Sequence, residues 1–478
     1  MEKRANSVPA RRRITELLDT GSFVEIGGDI TARNTDFNLQ QIAASTDGVV
    51  TGHGLIGGEL IFIYSQDAQV LHGTIGEMHA KKILQVYDMA LKMGAPVIGL
   101  VDCAGIRLQE ATDALEAFGS IYRAQTRASG VIPQFTAIFG TCGGGLAVFP
   151  RLTDFTFMEH KDGKLFVNAP NVQDNRCETQ CDTSSAEHQS KVSGAVDYIG
   201  TDTEIFEQIR SLIYMLPSNC KVGVTYDECS DDLNRVCTNL ADLYKNPVAV
   251  MKNLSDQGFF FEIKKDFARE MIAGFIRLNG ITVGVVANGM QAEDERGNSL
   301  RFDNVLTVDG CKKAAKFVRF CDAFSIPVVS LTNVTGYEVT VESEKNIPDG
   351  VARLIYVFAE ASVPKVNVIV GKAYGSAYVA MNSKSIGADL VYAWPNAEIG
   401  MMDSHLAAKI MYVGEEQSTI IEKAEEYGKL QTSPLSAARR GHIDAIIEPE
   451  DTRKHLINAL EMLFTKREKQ LDKKHGAI

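Results

Sequence analysis

The chain has 478 residues, 45% hydrophobic and 23% charged, a size that calls for roughly two to four globular domains. A net charge of −12 speaks against nucleic acid or an anionic membrane as partner. Nine scattered cysteines give no disulfide framework and fit reduced thiols in a cytoplasmic protein.

Taken in chain order, Arg11-Arg12-Arg13 leads into ITELLDTG, a short helix ending at Gly21, with no apolar segment of a signal peptide behind it. LIFIY (60–64) reads as a buried strand and HAKKILQVYDMALKMG (79–94) as an amphipathic helix closed by Gly94. PVIGLVD (96–102) is a second strand, followed by a helix around 110–129 and the strand IPQFTAIF (132–139). The polar stretch 217–256, with LPSNCK, YDECSDDLN and YKNPVAV, reads as a connection between a domain over 1–216 and another over 257–478. TVGVVA, CKKAAKFVRFCDAF, PVVSLTN, a helix near 349–361 and PKVNVIVG then repeat the first series. The C-terminal TKREKQLDKKHG is a charge-rich helix end. APVIGLV and VNVIV are strand-length, far short of a membrane span, so no direct membrane insertion is expected.

The two series are one series written twice. GSFVEIGGD from Gly21 is answered by GFFFEIKKD from Gly258, 237 positions on, and LIGGELIFIYS from Leu55 by RLNGITVGVVA from Arg277, 222 on. Lys81-Lys82, Pro96, Gly105, Pro133 and Gly140 map onto Lys312-Lys313, Pro327, Gly336, Pro364 and Gly371, each 231 apart. One constant spacing over five landmarks indicates duplication of an α/β unit with parallel sheet.

After its third strand each half carries a glycine turn, G-T-C-G-G-G-L-A (140–147) and G-K-A-Y-G-S-A-Y (371–378), opening a helix. Amides at such a helix start lack an intrahelical partner, and small side chains let a ligand come close, so the natural cargo is an oxyanion. Neither turn matches a P-loop or a dinucleotide fingerprint. Two cradles suggest two carbonyl compounds held at once.

The segments GAPVIGLVDCAGIRLQEA (94–111), SGVIPQFTAIFGTCGGGLAVFPRLTDFTFM (129–158), KFVRFCDAFSIPVV (316–329), RLIYVFAEASVPKVNVIVGKAYGSAYVAMNSK (353–384) and YAWPNAEIGMM (392–402) resemble the carboxyltransferase subunits of biotin-dependent acyl-CoA carboxylases and decarboxylases. The resemblance runs from Gly21 to about Glu448. It implies two tandem crotonase-like domains, a homohexamer built as a trimer of dimers, and transfer of a carboxyl group between carboxybiotin and the α-carbon of an acyl-CoA. By position, Gly144 and Gly145 would receive the thioester enolate and Ser376 and Ala377 the biotin ureido carbonyl. Ala104, Gly105, Arg107, Gly143, Tyr374, Gly375 and Val379 would line the substrate sites. Read by itself, Arg107 in IRLQE fits either a partner for a CoA phosphate or an ordinary solvated arginine. Biotin would arrive on a separate carboxyl carrier protein, biotin carboxylase or decarboxylase subunits would be the other partners, and no metal is expected.

Several positions depart from the family pattern: Cys103 and Ala104, TNVTGYEV (332–339), EKNIPDG (344–350), Ser376, Val379 and MMDSHLA after AEIG. They surround the acyl and biotin pockets and leave the acyl group and the direction of reaction open. Other residues invite other chemistry. Cys177 and Cys181 with His160 and His188 lack the paired knuckles of a zinc site and read as a surface insertion. Cys103 and Cys142 read as small buried thiols, and Glu110, Glu116 and Glu338 as solvated carboxylates. The same glutamates would be acid–base groups in a biotin-independent crotonase-type hydratase, isomerase or hydrolase, the alternative function, with a non-catalytic scaffold as the third.

Overall fold

Short β-branched runs separated by amphipathic helices build a largely parallel sheet in each half of the chain. The computed structural model describes residues 9–33, 45–168, 182–223, 226–293 and 297–468, and the chain divides into Met1–Gly223 and Val224–Ile478.

The first unit contains β1 (Val24–Glu25), β2 (Val49–Ile56), β3 (Glu59–Gln66), β4 (Val97–Cys103), β5 (Gln134–Gly143), β6 (Phe155–Glu159), β7 (Lys164–Phe166) and β8 (Tyr198–Gly200). Their order is β1-β2-β3-β4-β5-β6-β8, with β7 beside β5. The hairpin β2–β3 is antiparallel and everything from β3 onward is parallel. Crossovers between parallel strands need helices. After α1 (Ala10–Leu17), these are α2 (Glu77–Met93) between β3 and β4, and α3 (Ala111–Ala128) between β4 and β5. Gly94, at φ 65°, ends α2 as expected. Ile83, Val86 and Ala90 of α2 and Phe118 and Ile121 of α3 pack on Phe62, Val97, Val101 and Ile138. Neighbouring Ile61 and Ile63 are equally buried on the opposite face, which explains why these strands read as unbroken apolar runs. Helix α4 (Asp202–Met215) completes the unit.

The second unit adds α5 (Pro247–Leu254), β9 (Phe261–Glu262), β10 (Met271–Leu278), β11 (Ile281–Asn288), α6 (Val308–Ala323), β12 (Val328–Val334), α7 (Val341–Glu360), β13 (Lys365–Tyr374), α8 (Gly375–Ala380), β14 (Leu390–Ala393), β15 (Glu398–Gly400), β16 (Ala445–Ile446) and α9 (Thr452–Leu463). Its sheet order, β16-β14-β13-β12-β11-β10-β9 with β15 beside β13, is that of the first. Strands β4 and β12, and β5 and β13, begin and end 231 residues apart. The duplicated lysines also keep one role: Lys82 Nζ donates to Thr46 O at 3.0 Å, and Lys313 Nζ to Lys264 O and Phe267 O at 2.9 Å.

Four elements differ from expectation. Strands β5 and β13 run past 139 and 370 because β7 and β15 pair with their ends, so Gly140 and Gly371 lie inside strands. The helix expected near 349–361 starts at Val341, where Thr340 and Ser343 form a capping box, and Pro348 lies within it. Part of the expected connection belongs to the second unit's core: Leu240, Val250, Met251 and Leu254 are buried there. Its Asn246-Pro247 pair is the N-cap and first residue of α5. The charged C-terminal stretch from 469 lies outside the described residues, and no described helix is long and apolar enough to cross a membrane.

Candidate functional site

The extended chain of β5 ends at Gly143, and a 3-10 turn runs from Gly144 to Val148. Gly144 adopts φ 63°, and a Cβ built there would meet no atom within 4 Å. The residue is thus glycine for conformation, not for crowding. Gly145 is exposed, and a Cβ on it would lie 3.0 Å from the Tyr122 hydroxyl, which donates to Gly145 O at 2.6 Å. Tyr122 is held edge-on to Phe149 and Phe118, with ring centroids 5.6 and 6.0 Å away.

The second turn repeats this geometry. Tyr374 is extended, Gly375 adopts φ 61°, and α8 starts there. The spacing of 231 sets Gly144 and Gly145 against Gly375 and Ser376, one residue ahead of the expected pair Ser376–Ala377. Gly145 and Ser376 are exposed, while Leu146 and Ala377 are buried. First-turn amides have no intrahelical acceptor. Among the described residues, no turn or side-chain hydrogen bond takes the N–H of Gly144, Gly145, Ser376 or Ala377. The Tyr337 hydroxyl donates to Ser376 Oγ at 2.8 Å. Val379 is half-buried on α8. Tyr374 hydrogen-bonds to Glu398, and burial together with that carboxylate pushes its phenol up. Tyr122 and Tyr337 escaped the sequence reading because neither lies in a glycine motif.

The loop after β4 reaches the first turn. A Cβ on Gly105, at φ 118°, would stand 3.4 Å from Gly143 O. The N–H groups here are occupied, Ala104 donating to His72 O at 3.1 Å and Gly105 to Cys103 Sγ at 3.3 Å.

Arg107 corrects an expectation. It is 1% exposed and meets no phosphate-accessible surface. Its guanidinium contacts Asp47 at 2.5 Å and Glu110 at 2.8 Å, and donates to Thr74 O at 2.6 Å. Glu110 is accordingly not a solvated carboxylate; it is buried and also accepts the Glu77 N–H at 2.6 Å. Glu116 is exposed and Glu338 half-buried. The cluster continues through His79, whose N–H donates to Asp47 Oδ2 at 2.7 Å and whose Nδ1 donates to Asp47 O at 2.8 Å. Its Nε2 accepts from Gln66 Nε2 at 3.2 Å. Burial pushes Asp47 up against the pull of Arg107, and burial, then Arg107, pushes His79 down to about 3.

A pH dependence follows. Unfolded His79 takes a proton near pH 6.5 and the folded side chain does not, so acid favours unfolding. Its contribution is complete above about 6.5 and falls by up to ~1.4 kcal/mol per pH unit toward 3. Between pH 6.5 and 5 the urea stability of the wild type should drop by about 2 kcal/mol more than that of His79→Gln. Equal slopes would show that His79 is not buried neutral.

Burial pushes the Cys103 thiol up to about 12 and raises Cys142 well above the usual thiol range, so neither is a nucleophile at neutral pH. Cys177 and Cys181 lie outside the described residues. Among the described residues no group of three or more His, Cys, Asp or Glu is arranged to hold a metal ion.

A family model for the carboxyl transferase domain matches residues 2–478. The propionyl-CoA carboxylase carboxyltransferase subunit of Haloferax mediterranei is 40% identical, the match covering 98% of this chain and 93% of that protein. The methylmalonyl-CoA decarboxylase subunit alpha of Propionigenium modestum is 38% identical over 99% and 93% of the two chains. A crystal structure of transcarboxylase 12S, a hexamer with hydrolysed methylmalonyl-coenzyme A bound, superposes with a TM-score of 0.92 at 34% identity, covering 98% of this chain and 92% of that one. Together with the duplicated crotonase-like fold, these matches settle the family: the chain belongs to the carboxyl transferase domain family and is a carboxyltransferase of the kind used by acyl-CoA carboxylases and decarboxylases.

Proposed function

We propose that the chain moves a carboxyl group between biotin, borne on a separate carrier protein, and the α-carbon of a short acyl-CoA of the propionyl/methylmalonyl type. The observation that carries this reading is the repeated turn: a glycine at φ 63° and another at φ 61°, 231 residues apart, each ending a strand and opening a helix. The amides of Gly144 and Gly145 stabilise the enolate that the CoA thioester becomes when its α-carbon gains or loses the carboxyl group. Those of the second turn, at Ser376 and Ala377, hold the ureido carbonyl. Biotin, when bound, supplies the nitrogen that carries the carboxyl group and a base for the α-proton.

The chain's own contribution is donation and exclusion. Fixed amides aimed at a developing oxyanion contribute several kcal/mol, since removal of one such donor typically costs about 10²–10³ in rate. Neither Cys103 nor Cys142, beside the first turn, is acidic enough to compete. The hydratase-like assignment loses one of its three carboxylates, because Glu110 is bound to Arg107 and the Glu77 amide, while Glu116 and Glu338 are not so engaged. A hexameric assembly and partner subunits that carboxylate biotin or release its carbon dioxide complete the proposal, as does a cytoplasmic setting.

The test is one assay of the purified protein with free biotin and malonyl-, methylmalonyl- and glutaconyl-CoA, following release of carbon dioxide. Biotin-dependent release, greatest with methylmalonyl-CoA, is expected. Release without biotin, or none with any ester, would overturn the assignment.

A further inference from the structure

The strands that lead into the two glycine turns are held at one and the same point. In the first unit the β4–β5 ladder is broken between Val101 and Cys103. Asp102, 1% exposed, reaches across the break and accepts the N–H of Thr141 on Oδ1 at 3.3 Å. Its Oδ2 meets the Arg13 guanidinium at 3.3 Å, itself 5.0 Å from the Phe139 ring centroid. Gly140 has no side chain because a Cβ there would fall 2.1 Å from Asp102 Oδ1.

In the second unit the β12–β13 ladder breaks between Thr332 and Val334. Asn333, 2% exposed, accepts the N–H of Lys372 at 3.0 Å, and a Cβ on Gly371 would fall 2.5 Å from its Oδ1. Three neighbours replace the arginine. Asn304 Nδ2 donates to Asn333 Oδ1 at 3.0 Å, the Asn333 N–H donates to Asn288 Oδ1 at 2.9 Å, and Asn333 Nδ2 contacts Met290 Sδ at 3.4 Å. Asp102 and Asn333 are 231 residues apart, the spacing of the turns themselves, and Thr141 and Lys372 each precede the positive-φ glycine by three residues.

A bulge takes a strand's amides out of the ladder, and a buried amide must find another acceptor. The side-chain oxygen is that acceptor, placed three strand residues before the positive-φ glycine of each turn. A buried carboxylate needs its arginine, whereas a carboxamide is satisfied by neutral neighbours, so the two halves use different chemistry for one contact.

We propose that Asp102 and Asn333 are positioning residues for carboxyl transfer, each fixing the aim of the amides in its own unit's glycine turn. This rests on the assignment of the first turn to the thioester and the second to biotin. Displacement of a reacting group by about 1 Å is enough to lower a rate about 10²-fold, and loss of either oxygen would move only the turn it anchors.

The experiment uses the full chain and varies free biotin and methylmalonyl-CoA separately. Asn333→Ala is expected to lower kcat over KM for biotin by about 10–100-fold, with KM for the CoA ester held within about twofold. Asp102→Ala should do the reverse, and Asp102→Asn should recover most of the loss, because the second unit uses asparagine for the same contact. Asp102→Ser and Asn333→Ser replace the alanine variants where those do not fold. Amide hydrogen exchange over 141–148 and 372–380 should rise about tenfold or more in the altered unit's turn and stay unchanged in the other. Parallel changes in both Michaelis constants, or unchanged exchange at the anchored turn, overturn the proposal. A wild type without biotin-dependent release overturns the assignment of the turns instead, and the exchange measurement still decides whether the two residues hold them.

Discussion

Gly144→Val is expected to lower carboxyl transfer about 10²–10³-fold while the protein remains folded. At φ 63° an L-residue is strained by roughly 1–2 kcal/mol, more when β-branched. Against a typical stability of about 5–15 kcal/mol the fold survives that strain. The turn relieves it locally by rotating the peptide between Gly143 and Gly144, and the rotated N–H no longer points where the thioester oxygen would sit. Space is not the issue, since nothing lies within 4 Å of the added Cβ. Gly375→Val should act likewise on the second turn, with the added contact of Met401 O at 3.3 Å. Gly119→Ala is the control. It lies within α3, a Cβ there meets nothing within 4 Å, and its φ is not positive. It should leave the rate unchanged and stabilise the helix by about 0.5–1 kcal/mol. Steady-state rates of biotin-dependent carbon dioxide release, with circular dichroism for folding, make the comparison. A folded Gly144→Val variant at wild-type rate would remove the first turn from the reaction.

What the sequence revealed depends on whether the cause was local or distant. Gly94 ends α2 through its own backbone, and the landmarks at spacing 231 fall at the same places in two sheets of one topology, so both were legible. The ends of β5 and β13 were not. They are set by pairing with β7 and β15, short strands whose residues, KLF and EIG, carry no strand signal of their own. Pro348 reads as a helix breaker, yet the capping box at Thr340 and burial of Ile347, Val351 and Leu354 keep the helix through it. Arg107 was misplaced for the same reason at a longer range. Its main partner, Asp47, is 60 residues away in a turn with no motif, and an arginine in a loop beside a glycine looks the same whether it faces a phosphate or a buried carboxylate. Asp102 and Asn333, by contrast, were within reach, because they share the spacing that revealed the repeat.

That misplaced arginine gives the largest expected loss of stability. Arg107→Leu removes the common partner of Asp47 and Glu110, both buried, and leaves two carboxylates without a cation in the interior. Breaking a buried pair from one side typically costs about 3–5 kcal/mol, a large share of what a domain has. Thr74 O would lose its donor as well. The sign of the pH effect is distinctive. Without the guanidinium, burial raises the folded pKa of Asp47 further above its unfolded value. Asp47 then gives stability below the unfolded pKa that is lost as pH rises through the folded one, so the gap from wild type should narrow toward acid. Asp47→Asn and Glu110→Gln added to Arg107→Leu should recover a good part of the loss at neutral pH, because neutral groups need no cation. Urea titrations at pH 5 and 8 measure all of this. An arginine that served a CoA phosphate would behave in the opposite way: its removal would raise KM for the ester, cost little stability and show no narrowing in acid. That result would return Arg107 to the substrate site and contradict the buried cluster.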